Sequence, residues 1–177
     1  MAKIIQIEPW IDEEEAIQLA RVVASTYVVE HELTKEFEQS IIDLTGSKHA
    51  VAVTNGSMAL FCALRSLGIG PGDEVIVPSN TYIASWLAIS AVGATPVPVE
   101  PNPTTYNINV KEIYKLITPA TKAIMPVHLY GQPGDLDQII TLSKQFGISV
   151  IEDAAQAHGA KYKGKRIGAH GDIVCWS

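Results

Sequence analysis

Residues 123–153 read AIMPVHLYGQPGDLDQIITLSKQFGISVIED, and this stretch decides the fold class. It begins with a strand-like apolar run at Ala123–Val127, continues with helical apolar spacing over Leu136–Phe146, and ends with a second apolar run at Ile148–Glu152. Two buried strands joined by one helix form a βαβ unit, in which the strands lie parallel in the same sheet. We therefore predict an α/β protein with a mostly parallel sheet in three layers, with helices on both faces.

The same alternation of strands and helices occurs on both sides of this unit. Further strands are predicted at Ala50–Val53, Glu74–Pro78 and Thr95–Val99. Further helices are predicted at Met58–Leu67, Tyr82–Val92 and Val110–Ile117. Pro96 and Pro98 favour an edge position for the strand at 95–99, because proline has no N–H to donate to a neighbour. Near the end of the sequence, Lys161–Arg166 reads as a small polar hairpin and Asp172–Ser177 as a buried strand.

The first 46 residues differ from this α/β body because they show two helical patterns and no strand. Asp12 is suited to cap a helix that continues to Ala24, with Glu13–Glu15 at the positive end of its dipole. A second helix is predicted over Leu33–Asp43, with Gly46 ending it. We therefore divide the chain into an N-terminal helical arm, residues 1–46, and a large domain, residues 47–177.

Composition excludes several classes of protein. The 177 residues are 47% hydrophobic and 18% charged, so the chain has enough apolar material for a core and is not disordered. The net charge of -6 and the lack of a basic stripe argue against a nucleic-acid partner. No apolar run approaches the ~20 residues that span a bilayer, and the start MAKIIQIEPW does not resemble a signal peptide. Cys62 and Cys175 form no CxxC motif, which favours a reduced, cytoplasmic setting.

The sequence also lacks the common catalytic and nucleotide-binding signatures. The five histidines (His31, His49, His128, His158 and His170) show no ligand spacing, so no metal site is predicted. For His128 and His158, which are expected near strand ends, a role in polar lining or structural hydrogen bonding is favoured over a catalytic one. There is no G-x-S-x-G elbow of a hydrolase, no Walker motif and no G-x-G-x-x-G fingerprint of a Rossmann oxidoreductase.

Thr54-Asn-Gly-Ser57 lies between a predicted strand and a predicted helix. Gly56 would allow a ligand to approach the backbone, while the first N–H groups of the helix and the Ser57 hydroxyl could bind a phosphate. On this segment alone, an ordinary capped turn is the favoured interpretation.

Two other strand ends carry polar or aromatic side chains. Asp153 follows a buried strand, where a carboxylate requires a cation or several donors, and a protonated pyridine nitrogen is one such cation. Gln156 would point to the same side if a helical turn follows. Alternatively, Asp153 simply caps that turn. Tyr82 follows the strand at 74–78 and could cover a flat cofactor, although an aromatic residue at this place is more often part of the core.

Taken in order, five segments resemble the DegT/DnrJ/EryC1/StrS aminotransferases, which are fold-type I enzymes dependent on pyridoxal 5'-phosphate (PLP). The segments are Asn55–Ser57, Gly70–Pro78, Pro126–Gln132, Ile151–Gly159 and Gly171–Ser177. The resemblance extends from about Ile11 to Ser177, and it implies that the large domain binds PLP. A local departure is Val29-Glu-His31, where many relatives carry Gly-Pro.

The resemblance also implies roles for individual residues. It places Gly56, Ser57 and Ser177 on the cofactor phosphate, and Tyr82 on the face of the pyridine ring. It implies in addition that Asp153 pairs with the ring nitrogen.

Gln156, by the same resemblance, hydrogen-bonds the hydroxyl oxygen of the ring. The lysine that the family bonds covalently to the cofactor would lie beyond Ser177. Lys161, Lys163 and Lys165 are poor substitutes, because they sit in a polar turn with neighbouring positive charges. We therefore expect an incomplete large domain, an absent C-terminal small domain and no turnover by these 177 residues alone.

The resemblance implies transfer of an amino group from glutamate to a nucleotide-linked keto-deoxysugar, by a homodimer. Asn80–Trp86 and Val99–Pro101 look more like members that aminate a 3-keto sugar than a 4-keto sugar. Two alternatives stay open: a PLP-dependent sugar dehydratase of the same family, which has histidine in place of the lysine, and a non-catalytic domain that binds the cofactor or has a regulatory role.

Overall fold

The computed structural model describes residues 10–29 and 32–177, and its centre is a parallel β-sheet. The strands in these ranges are β1 (Glu74–Pro78), β2 (Thr95–Val99), β3 (Thr121–Ile124), β4 (Ser149–Asp153), β5 (Lys161–Tyr162), β6 (Lys165–Arg166) and β7 (Ile173–Cys175). The α-helices are α1 (Glu13–Ser25), α2 (Glu32–Thr45), α3 (Gly56–Ser66), α4 (Ile83–Ala91), α5 (Val110–Leu116) and α6 (Leu136–Phe146).

The sheet has the order β2-β1-β3-β4-β7, and each neighbouring pair is parallel, as the βαβ pattern predicts. The edge position predicted for β2 is confirmed. Thr95 donates its N–H to the carbonyl of Asp73, on the β1 side, at 2.9 Å. Backbone N–H groups along a strand point alternately to its two sides, so the nitrogens of Pro96 and Pro98 lie on the side away from β1. At an edge, the two missing N–H groups therefore remove no hydrogen bond from the ladder.

Apolar side chains from both faces of the sheet form the core, which confirms the three-layer arrangement. Val75 and Val77 of β1 pack in one cluster with residues of α3 and α4. Ile76, which points to the opposite face, packs with residues of α5 and α6. The alternation along β1 is therefore buried on both sides, as expected for a central parallel strand.

The two N-terminal helices precede the sheet. Asp12 caps α1 as predicted: its carboxylate accepts the N–H of Glu14 at 2.9 Å, and its own N–H donates to the Glu15 carboxylate at 2.8 Å. None of the residues of α1 is buried. The division at residue 46 stays a prediction, and His31 lies outside the described residues.

The prediction of a strand at Ala50–Val53 is wrong. Val51 is 80% exposed and Val53 42% exposed, and neither lies in a strand. The N–H of Ala52 donates to the Glu38 carboxylate of α2 at 2.8 Å instead of to a β-ladder. An apolar run forms a strand only where a neighbour accepts its hydrogen bonds, and the described residues provide none here. The other predicted elements are confirmed, with ends that differ by up to about three residues.

Candidate functional site

Three of the site residues predicted from the sequence lie at one edge of the sheet. Because β1, β4 and β7 are parallel, their carboxyl ends lie at the same edge, where ligands bind in open α/β sheets. Tyr82 follows β1, Asp153 ends β4, and Ser177 follows β7. Asp153 is paired in register with Cys175, which fixes the ends of β4 and β7 side by side.

The N-terminus of α3 contacts the segment after β7. A Cβ added to Gly56 would lie 2.6 Å from the Cβ of Ser177 and 3.2 Å from the carbonyl oxygen of Trp176. Only glycine permits this approach without displacing the neighbouring chain. Ser177 is thereby held against the first turn of α3.

This first turn has the features of an anion site. Asn55 caps α3, and its side chain accepts the N–H of Met58 at 3.0 Å, while its carbonyl accepts the N–H of Ala59. The preceding N–H groups, those of Gly56 and Ser57, have no carbonyl of the helix within reach. The capped-turn interpretation is therefore confirmed for Asn55, and it leaves two N–H donors and nearby hydroxyls for a phosphate.

Asp153 is only 6% exposed, and both of its carboxylate oxygens accept hydrogen bonds. Oδ2 accepts from the Ser85 hydroxyl at 2.7 Å, and Oδ1 accepts from the Ala155 N–H at 3.2 Å. The contact with Ala155 is the turn-capping interaction considered as the alternative, so that interpretation is also correct. In residues 10–29 and 32–177, however, Asp153 forms no ion pair with a lysine, arginine or histidine. A buried carboxylate without a cationic neighbour is suited to a cationic ligand group.

Ser85 is a residue that the sequence interpretation missed. It is completely buried on α4, and its N–H donates to the Tyr82 carbonyl at 3.2 Å. In the sequence, Ser85 is identifiable as the one hydroxyl-bearing residue in the otherwise apolar stretch Ile83–Ile89. A buried serine in such a helix requires a hydrogen-bond partner, although the sequence does not say which one.

Tyr82 is not part of the core. Its side chain is 71% exposed at the N-terminus of α4, and it makes no capping hydrogen bond. The core interpretation is therefore wrong, because the helix begins only after this residue and the ring stays on the surface. The ring is available to cover a flat ligand at the strand ends.

Gln156 is exposed, and a backbone hydrogen bond orients its amide. Its Oε1 accepts the N–H of Tyr130 at 2.7 Å, so Nε2 is the group left to donate to a ligand oxygen. Tyr130 has φ 55° and is 84% exposed. A tyrosine in the left-handed region is uncommon, and such strain is concentrated near functional sites.

The histidine nearest the site is structural, as favoured from the sequence. His128 and Glu152 are fully buried, with His128 Nε2 2.8 Å from Glu152 Oε2. The N–H of Gly134 donates to His128 Nδ1 at 3.1 Å, so Nε2 carries the proton that points at the carboxylate. Glu152 also accepts from the Gly171 N–H, so this pair joins the loop after β3 to β4 and to the loop before β7.

The remaining histidines show no catalytic arrangement in the part of the chain that the structure describes. His158 lies against Trp176, with 5.0 Å between ring centroids. His170 contacts Tyr162 edge to face, and burial lowers the pKa of the His170 imidazole. His49 is exposed.

The lysines of the β5–β6 hairpin are exposed, as expected. Lys163 forms an ion pair with Asp137, and this hydrogen-bonded pairing raises the pKa of the Lys163 ammonium. Lys165 donates to the Ala169 carbonyl at 2.6 Å. The exposed, ion-paired amine of Lys163 is a poor nucleophile. That these lysines do not serve the site stays a prediction.

Two further observations apply to the described residues alone. No group of three or more histidine, cysteine, aspartate and glutamate side chains is arranged to hold a metal ion. No helix there has both the length and the apolar content needed to cross a membrane.

Comparison with known proteins agrees with this geometry. A dTDP-3-amino-3,4,6-trideoxy-α-D-glucose transaminase of Streptomyces venezuelae is 52% identical over 160 residues, which cover 90% of this chain and 42% of that protein. A GDP-perosamine synthase of Caulobacter vibrioides is 54% identical over 142 residues, covering 80% of this chain and 38% of that protein. The chain thus spans less than half the length of these curated relatives.

The fold is shared with a sugar aminotransferase of Streptococcus pneumoniae solved in its PLP form, with a TM-score of 0.90 at 34% identity. The match covers 96% of this chain and 47% of that one. The architecture is that of the large domain of fold-type I PLP-dependent transferases. The model of the DegT/DnrJ/EryC1/StrS aminotransferase family matches residues 9–177, and the chain belongs to that family.

Proposed function

We propose that this chain is the cofactor-binding part of a PLP-dependent aminotransferase that moves an amino group from glutamate to a nucleotide-linked keto-deoxysugar. The observation that carries the proposal is the buried carboxylate of Asp153, which has no ion-pair partner among the described residues and lies at the same sheet edge as the N-terminus of α3. A ligand with a phosphate at one end and a cationic ring nitrogen at the other satisfies both features.

The residues at the strand ends fit PLP in chemical type. Gly56, Ser57 and Ser177 would hold the phosphate through N–H and hydroxyl donors. Asp153 would accept a hydrogen bond from the protonated ring nitrogen, which neutralises the buried charge. PLP, when bound, supplies an electron sink for bond breaking at the amino-bearing carbon of the substrate.

Tyr82 and Gln156 complete the proposed arrangement. The exposed Tyr82 ring would cover one face of the cofactor and exclude water from it. The Nε2 group of Gln156, left free by the bond from Tyr130, would donate to the ring hydroxyl oxygen.

A 3-keto sugar is the substrate we favour. The Streptomyces relative, 52% identical to this chain over 160 residues, is named for a dTDP-linked 3-amino sugar. The Caulobacter relative is named for a GDP-linked product, so the proposal concerns the keto position of the sugar and leaves the nucleotide open. Assays of the complete protein with 3-keto and 4-keto nucleotide sugars, read by mass spectrometry, test this choice.

We also propose a cytoplasmic homodimer. Cys62 and Cys175 are unpaired in the structure, which suits a reducing compartment. The apolar residues Ile17, Leu19 and Val23 of α1 are each more than half exposed, and a second copy of the chain would cover them. Analytical ultracentrifugation of the complete protein tests the dimer.

The role of Asp153 is tested by Asp153→Asn in the complete protein. This change keeps the shape and removes the charge, so we expect weaker PLP binding and a loss of about 100-fold in kcat/KM, the scale of removing one electrostatic contact in an active site. Asp137→Asn, at an exposed position on α6, is the matched control. A complete protein that binds no PLP and aminates no nucleotide keto sugar would contradict the proposed function.

A further inference from the structure

Ser85 forms a hydrogen bond that leaves its own helix. It is completely buried on α4, and its hydroxyl lies 2.7 Å from Oδ2 of Asp153, a residue 68 positions away in the chain. Buried serines in helices commonly donate to a carbonyl of the preceding turn. Ser143 on α6 does so, donating to the Ile140 carbonyl at 3.0 Å. The hydroxyl of Ser85 instead donates to the carboxylate of Asp153, at the end of β4.

The direction of the hydrogen bonds follows from the chemistry of the groups. An ionised carboxylate only accepts, so the single hydroxyl proton of Ser85 points to Asp153. The Thr81 hydroxyl lies 3.0 Å from Ser85 Oγ, and because Ser85 has already used its proton, Thr81 must be the donor. Thr81, Ser85 and Asp153 therefore form an ordered chain that begins beside Tyr82 and ends at the carboxylate.

This chain restrains the Asp153 side chain at both oxygens. Ala155 N–H donates to Oδ1, and the Ser85 hydroxyl donates to Oδ2. With one donor on each oxygen, the carboxylate cannot rotate without breaking a buried hydrogen bond. Each oxygen still has a lone pair for a further donor. Because the two hydrogen bonds fix the plane of the carboxylate, they also fix the plane in which that further donor must lie.

We propose that Ser85 is a positioning residue: it holds the Asp153 carboxylate in the orientation in which it accepts the cationic ring N–H of the cofactor, and Thr81 holds Ser85. The inference rests on the proposed function. It assigns to α4 a role in the electronics of the cofactor in addition to its role in the core.

The test uses the complete protein and PLP itself, with the dissociation constant and the absorption band of the bound cofactor as readouts. Ser85→Ala leaves Oδ2 without its donor, and we expect about 10-fold weaker PLP binding, as for loss of a hydrogen bond to a charged group, together with a shifted band. Ser85→Thr keeps the hydroxyl and should restore both readouts to within about threefold. Ser143→Ala removes a buried helix hydroxyl that is unconnected to Asp153, and should leave both unchanged.

Thr81→Val is a second variant, which avoids the buried position. It keeps the side-chain shape and removes the donor to Ser85, so we expect a smaller change in the same direction in both readouts. Wild-type affinity and an unshifted band in Ser85→Ala would overturn the inference, as would equal changes in Ser85→Ala and Ser143→Ala. If Ser85→Ala does not fold, an unchanged band and affinity in Thr81→Val would overturn it. Failure of the unmodified protein to bind PLP would contradict the proposed function itself.

Discussion

Gly56 and Ser177 lie in direct contact, although they belong to opposite ends of the described α/β body. A Cβ at Gly56 would be 2.6 Å from the Cβ of Ser177 and 2.9 Å from its hydroxyl oxygen. The contact places a hydroxyl from the end of β7 beside the free N–H groups of α3. The proposed phosphate site thus depends on two segments that only the folded chain brings together.

Substitution at this contact should be costly. Gly56→Ala forces Ser177 and its backbone away from α3, and we expect a loss of about 1–3 kcal/mol in the free energy of unfolding, as for overpacking, together with weaker PLP binding. Urea denaturation and PLP titration measure the two effects.

Gly70→Ala is the matched control for this change. The nearest atom to its added Cβ would be the Val92 carbonyl oxygen at 3.6 Å, an ordinary contact, and its φ lies outside the left-handed region. Equal stability of Gly56→Ala and the unmodified protein would contradict the close approach.

The buried pair of His128 and Glu152 should contribute strongly to stability. Glu152→Ala leaves the buried Nε2–H of His128 and the half-buried N–H of Gly171 without their acceptor, so we expect a loss of about 1–3 kcal/mol. Glu112→Ala removes an exposed partner of Lys115 and should cost no more than about 1 kcal/mol. Denaturation curves with similar shifts for the two variants would show that the buried pair is not needed.

Stability should fall at alkaline pH because of Cys175. Burial, with a smaller contribution from the Asp153 carboxylate, raises the pKa of the Cys175 thiol to about 12. A folded-state pKa above the unfolded value favours the protonated, folded form below the unfolded pKa, and this stabilisation is lost as the pH rises from about 9 towards 12. Thermal unfolding across this range should show a smaller decline for Cys175→Ala than for the unmodified protein.

The two cysteines should also react differently. Cys62 is exposed and Cys175 is buried and protonated, so iodoacetamide at pH ~8 should modify Cys62 alone in the folded protein. Peptide mass spectrometry locates the modification, and labelling in denaturant provides the control in which both cysteines react. Modification of Cys175 under native conditions would contradict its burial.

Tyr130 offers a test of backbone strain at the site. Glycine accepts φ 55° without a steric penalty, whereas alanine does not, so Tyr130→Gly should be about 1 kcal/mol more stable than Tyr130→Ala. Both variants lose the ring, and both keep the N–H that donates to Gln156. Comparison of their unfolding free energies isolates the conformation, and a more stable alanine variant would exclude a left-handed residue at this position.

Much of the fold could be predicted from local patterns in the chain. Apolar periodicity gave the alternation of strands and helices, Asp12 was identified as a cap from its place before three glutamates, and Pro96 and Pro98 indicated the edge strand. These features depend on the spacing of apolar side chains and on which hydrogen-bonding groups each residue has, and both can be read from the sequence. The strand prediction at 50–53 was wrong because an apolar pattern does not reveal whether a neighbouring strand is present.

The candidate site divides in the same way. Sequence alone determined which residue types stand at the strand ends, among them Asp153 and Gly56, because each follows a recognisable strand or precedes a helix. Only the tertiary structure decided that Ser85 donates a hydrogen bond to Asp153, that Ser177 contacts Gly56, and that Tyr82 is exposed. Periodicity describes neighbours within one element, whereas these contacts join residues far apart in the chain, and their pairing is set by how the helices and strands pack together.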